Sequence, residues 1–107
     1  MHFVVIGKDR SEEGRRARRP AHLEYVAERQ RLILYAGPLI EEGRMVGSLF
    51  VFDLPDRAAL DAYLAGDPYF AAGGIFETVE IYESRRMVPE AETGFLLAEA
   101  ERARSSA

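Results

Sequence analysis

What most restricts the fold of this chain is the order of its apolar runs. Phe3 to Gly7 (FVVIG) is a short apolar run closed by glycine, which suits a buried strand. A polar, arginine-rich connection with room for some helix follows from Lys8 to Arg19. Pro20 fits the first turn of a helix, where its missing N–H costs nothing. AHLEYVAERQRL then puts Leu23, Val26 and Ala27 on one face and Glu24 and Glu28 away from it, so the spacing predicts a helix over 20–31. LILYAGPL (Leu32 to Leu39) and MVGSLFVFD (Met45 to Asp53) read as two strands joined by an EEGR turn, with Gly43 free to take a positive φ. Pro55 and Asp56 open a second helix, Arg57 to Ala65, closed by Gly66. Ile75 to Glu83 is a fourth strand. The order β-α-β-β-α-β defines an α+β, ferredoxin-like fold in which both helices cover one face of a four-stranded antiparallel sheet.

The other face of that sheet needs a cover too. Along the third strand, Met45, Leu49 and Val51 alternate with Val46, Phe50 and Phe52, and in the second Leu32, Leu34 and Ala36 alternate with Ile33 and Tyr35. A sheet with one wet face shows a cleaner alternation. The pattern predicts a homodimer packed sheet to sheet, because monomers rarely expose large apolar patches. Residues 1–85 form the domain, and 86–107 a polar tail in which Phe95, Leu96 and Ala100 permit a short amphipathic helix, either frayed or docked on the partner.

Composition removes several function classes. The chain has 107 residues, enough for one domain with a real core, and no cysteine, which excludes disulfides, thiolate zinc sites and cysteine nucleophiles. Two histidines make a histidine-rich metal site a poor expectation, and no metal or cofactor is expected. No apolar run reaches a membrane span and no signal-peptide pattern opens the chain, so the expected location is the cytoplasm, without a membrane partner. A net charge of -4 argues against a general nucleic-acid binder. Even so, Arg10, Arg15, Arg16, Arg18 and Arg19 crowd just ahead of His22, either as a solvated basic face or as a funnel for a small anion.

His22 and Asp67 are the candidate acid–base residues. Placed in a first helical turn beside arginines, His22 sits where a cation is disfavoured and an imidazole can accept a proton. Asp67 precedes Pro68 and suits the N-cap of a short helix, PYFAA, ended by Gly73 and Gly74; equally, it suits a carboxylate that orients His22. Tyr69 is a candidate hydrogen-bonding group at a pocket mouth, and Ser48 lies mid-strand with no base near it except His22. No nucleophile elbow, P-loop, dinucleotide fingerprint or HExxH motif is present.

ARRPAHLEYV (Ala17 to Val26), LYAGPL (Leu34 to Leu39), GSLFVFD (Gly47 to Asp53) and DPYFAAGGIFETVEIY (Asp67 to Tyr82) resemble, in order and spacing, the YciI-like (YCII-related) proteins. The resemblance runs from about Phe3 to Glu83. It implies a ferredoxin-like fold in the dimeric α+β barrel superfamily and a site built on His22 and Asp67, but no substrate. Together these readings point to a cofactor-free acid–base enzyme of lyase or isomerase type acting on a small anionic organic molecule. In it His22 moves the proton, Asp67 orients it, and Arg18 or Arg19, with Arg15 as a third, holds a carboxylate or oxyanion. The alternatives are a non-catalytic dimer that binds a small metabolite through the same residues, and a structural dimer in which both are fold punctuation.

Overall fold

In the computed structural model, which describes residues 1–106, the chain runs β1 (His2–Asp9), α1 (Glu12–Ala27), β2 (Ile33–Glu41), β3 (Arg44–Asp53), α2 (Arg57–Gly66), β4 (Phe76–Ser84) and α3 (Phe95–Ser106). The four strands make one antiparallel sheet in the order β2-β3-β1-β4, the expected topology. Phe3 and Val5 of β1 pair with Phe52 and Phe50 of β3, and all four turn to the helices, where Leu54, Leu60 and Tyr63 complete the core. Glu42 and Gly43 form the two-residue β2–β3 turn, with φ of 50° and 76°; two positive φ values match the twist of the flanking strands.

The first helix departs from expectation. It starts two turns earlier, capped by Ser11, whose Oγ accepts from the Gly14 N–H at 3.1 Å, with Glu12 and Glu13 in the first turn where the helix dipole favours acids. Pro20 therefore lies inside the helix, exposed on its outer side, and the helix stops at Ala27 rather than Arg31. The face turned inward carries Arg15, His22, Tyr25 and Val26, while Leu23 and Ala27 are exposed. His22 is thus a mid-helix residue. The argument that a helix N-terminus disfavours its charge does not hold.

Irregular pairing shapes the β2–β3 edge. Leu39 faces Gly47 while Ile40 faces Met45, so Val46 is an extra residue in β3. The shift brings Met45 round beneath α1, beside Ser48, instead of onto the face of Leu49 and Val51. Beyond β4, the tail does form the helix α3, with none of its residues buried and Leu97 80% exposed.

The α2–β4 corner is tied to α1 by close packing. Asp56 caps α2 as expected, its carboxylate accepting from the Ala59 N–H at 2.9 Å, but Gly66 is the last helical residue rather than a left-handed stop. Its value is in having no side chain: a Cβ there would meet Tyr25 Oη at 2.6 Å and Cε2 at 2.9 Å. Tyr25 cannot swing away freely, because its hydroxyl donates to the Tyr63 carbonyl at 2.7 Å. We expect Gly66→Ala to destabilise the protein by about 1–3 kcal/mol through overpacking, measured by urea unfolding. A variant as stable as the native protein would show that α1 and α2 are not held this closely.

Candidate active site

His22 and Asp67 are brought together. His22 Nδ1 lies 2.8 Å from Asp67 Oδ1, with His22 nearly buried and Asp67 fully so, at 0% exposure. Asp67 follows the last residue of α2 and begins a tight turn instead of the short helix expected there. Its carbonyl accepts from the Phe70 and Ala71 N–H groups, and its Oδ1 accepts from the Tyr69 N–H at 2.9 Å. The remaining oxygen, Oδ2, accepts from the Tyr63 hydroxyl at 3.1 Å. Asp67 therefore caps its own turn and holds the histidine with one carboxylate. As an acceptor it fixes the proton of a neutral imidazole on Nδ1, which leaves the Nε2 lone pair free.

A second buried polar system lies next to the first. Arg15 donates through Nε and Nη2 to both oxygens of Asp9 at 2.6 and 3.0 Å, a bidentate pair between the end of β1 and the second turn of α1. Nη2 also donates to Ser48 Oγ at 2.7 Å, and Nη1 to the Tyr69 hydroxyl at 3.4 Å. The Tyr69 ring joins the two systems: it stacks on the His22 imidazole with centroids 3.7 Å apart and planes 6° from parallel. Burial raises the Tyr69 phenol above its ordinary pKa, with Arg15 and Arg19 pulling the other way, so the phenol keeps its proton at neutral pH.

These groups open on a cleft of about 200 Å³ between α1 and the β2–β3 edge. Arg15, Arg19, His22, Ser48 and Tyr69 line it together with apolar side chains including Val26, Pro38, Met45 and Phe50. Arg19 has no hydrogen-bond or ion-pair partner among the described residues, and it also borders a basic hollow with Arg16 at the cleft's mouth. Arg18 is placed differently: its guanidinium donates to the Pro68 carbonyl at 3.1 Å and does not line the cleft.

Asp9 and Tyr63 are partners that the sequence does not point to, and Arg15, only a third choice from the sequence, stands at the centre of the second buried polar system. The signal for Arg15 was present, since Ser11 followed by two glutamates is a helix start. A helix begun there places Arg15, Arg19 and His22 on one face by spacing alone. Nothing local marks Asp9 or Tyr63, whose roles come from strand pairing and helix packing.

The four-stranded antiparallel sheet and its covering helices give the chain an α+β fold like that of the dimeric α+β barrels. The model of the YCII-related domain matches residues 1–85, and the chain belongs to that family. Among solved structures, it is similar to the 5-chloro-2-hydroxyhydroquinone dehydrochlorinase TftG of Burkholderia phenoliruptrix AC1100, in complex with 2,5-dihydroxybenzoquinone. That match has a TM-score of 0.74 and 22% identity, over 84% of this chain and 99% of that one. An antibiotic biosynthesis monooxygenase aligns with a TM-score of 0.55 and 19% identity, over 81% and 99% of the two chains. No curated protein matches the sequence. At these identities the structural likeness establishes the fold.

Tyr63 offers a check on the buried carboxylate. Burial first, then the charge of Asp67 and the hydrogen bond to it, hold the Tyr63 phenol well above its ordinary value of 10.0. A group that keeps its proton more tightly when folded contributes stability in full below its unfolded pKa. That contribution is lost as pH rises from there through the folded value. Stability to urea should therefore fall as pH climbs past about 10. Tyr63→Phe should be less stable at neutral pH by about 1.5–3 kcal/mol, for the lost hydrogen bond to a buried carboxylate, and should lose less with alkali. Equal alkaline slopes for the two proteins would show that Tyr63 is not the group responsible.

Proposed function

We propose that this protein is an acid–base enzyme of lyase or isomerase type, working without a cofactor on a small, anionic or readily ionised organic molecule. The observation that carries the reading is the His22–Asp67 contact of 2.8 Å at the wall of a cleft, with Nε2 left as the available base. In this reading Nε2 takes a proton from the substrate as the C–H or O–H bond breaks. The electron pair moves onto a conjugated oxygen, which Arg19 stabilises. The intermediate then either expels an anion from a neighbouring carbon or is reprotonated elsewhere, giving elimination or isomerisation. Asp67 keeps the imidazole in the working tautomer and stabilises it once protonated. Arg19 takes the role expected of Arg18 or Arg19, because Arg18 is committed to the Pro68 carbonyl.

The related dehydrochlorinase structure gives a first compound to try, 5-chloro-2-hydroxyhydroquinone, followed by small enolisable acids. We expect turnover by the native protein, seen as chloride or proton release. His22→Ala should lose about 10²–10⁴-fold, and Asp67→Asn should also lose activity while its circular dichroism stays native. Binding without any turnover would favour the metabolite-binding alternative. Turnover unchanged in His22→Ala would end the acid–base reading.

The same reading includes a homodimer. Val4, Ile6, Leu49 and Val51 pair across neighbouring strands on the face turned away from the helices, flanked by Tyr35 at 62% and Tyr82 at 52% exposure. A second copy would cover this apolar face, as the fold class suggests, and α3 with its exposed Leu97 would extend the contact. Phe50 and Phe52 lie in the core under the helices, so a charge there would unfold the chain. Val51→Asp is the informative change. Light scattering should report a dimer for the native protein and a folded monomer for Val51→Asp, and a native monomer would overturn the expectation.

A further inference from the structure

Ser48 and Tyr69 share an unusual circumstance. Each hydroxyl accepts a hydrogen bond from the same buried guanidinium, Arg15, at 2.7 and 3.4 Å. A guanidinium can only donate, so each oxygen must turn a lone pair toward Arg15 and its O–H elsewhere. Neither O–H finds an acceptor among the described residues, although both residues are almost wholly buried, at 3% and 1% exposure, and both line the cleft beside His22. Arg15 is itself committed, its charge chelated by Asp9. Arg15 is therefore ill placed to clamp an anion directly, but well placed to polarise two hydroxyls that can receive one.

We propose that Ser48 and Tyr69 form a paired-hydroxyl site for the oxygen of a one-ring phenolate or enolate, with Arg15 as the positioning residue that orients both. This deepens, and rests on, the reading of His22 as the base. Cleft size and walls set the ligand class. Cavities of roughly 300–1,000 Å³ take drug-sized ligands, and an apolar cavity of about 150 Å³ takes benzene. A cleft of about 200 Å³ walled by Val26, Pro38, Met45 and Phe50 suits a single substituted ring. Burial keeps the Tyr69 phenol protonated and hence a donor. A hydroxyl already accepting from a cation donates more strongly, and fixed donors in a dry site need no reorganisation when charge develops. When His22 Nε2 takes the proton, the electron pair stays on the ring oxygen, where the two O–H groups meet it. Arg19, without a partner among the described residues, balances the charge. No oxidant or further reactant is needed.

The test uses 4-nitrophenol, whose visible absorption distinguishes phenolate from phenol, with nitrobenzene as the neutral comparison. At a pH where the free probe is half ionised, the native protein should hold it almost wholly as phenolate. Ser48→Ala and Tyr69→Phe should each weaken phenolate binding about ten-fold, the loss of a hydrogen bond to a charged group, and leave nitrobenzene binding unchanged. Asp9→Asn with Arg15→Gln keeps both hydroxyls without stranding a buried charge. It should shift the bound probe back toward phenol, a spectroscopic change that a purely structural Arg15 would not produce. Native binding of 4-nitrophenolate no tighter than nitrobenzene would overturn the proposal. So would a loss in only one hydroxyl variant, or an unshifted spectrum in the double variant. Turnover in His22→Ala decides the base, and phenolate binding in the hydroxyl variants decides this site, so either can fail alone.

Discussion

A carboxylate with no contact with solvent is the constraint around which this molecule is arranged. Stranding a buried charge by removing its partner typically costs about 3–5 kcal/mol, so Asp67 is tolerable only with its donors in place. Those donors come from three parts of the chain: His22 in α1, Tyr63 in α2, and the N–H of Tyr69 in the turn itself. Satisfying them fixes how α1 lies against the end of α2. The missing side chain of Gly66 and the Tyr25–Tyr63 contact hold the same junction. Folding and the orientation of the imidazole are thus one problem with one solution.

Tyr69 carries that constraint across the site. Its backbone N–H serves Asp67, its ring lies flat on His22, and its hydroxyl accepts from Arg15. The Asp9–Arg15 pair is equally closed, each charge meeting the other at hydrogen-bond distance. Both buried acids are therefore neutralised or fully bonded, and the charge left over at the cleft belongs to Arg19, with Arg16 near its mouth. Although the chain is acidic overall, at -4, this opening is basic. Local arrangement, and not net charge, sets what the cleft attracts.

The fold was legible because the strands and α2 bury apolar side chains at the periods that sequence patterns report. Most of α1 was not, and the reason is physical. Its inward positions hold Arg15, Arg19 and His22 where a core helix would hold leucines, so the apolar period is missing over its first half. Pro20 then offered a plausible but late start. The bulge at Val46 hid Met45 in the same way, since a single extra residue reverses which face a side chain takes. The His22–Asp67 contact was legible through resemblance and partly through the Asp-Pro turn, whereas Asp9 and Tyr63 depend on contacts far apart in sequence. The places where local rules failed are the places where polar residues occupy the interior, which is also where the cleft is.

The two faces of the sheet consequently have different tasks. Helices cover one, and between α1 and the strand edge that face keeps a cleft lined by an imidazole, two hydroxyls and arginine side chains. On the proposed reading, such a set can withdraw a proton only from a molecule that can itself hold the electron pair left behind. A ring or chain with an oxygen conjugated to the reacting bond meets that requirement, because the charge then arrives where the hydroxyls and Arg19 are waiting. A C–H bond with no oxygen conjugated to its carbon would leave the charge on carbon, beyond their reach, and bring no comparable stabilisation. Selectivity would then follow from where charge develops in the transition state, more than from the shape of the resting molecule.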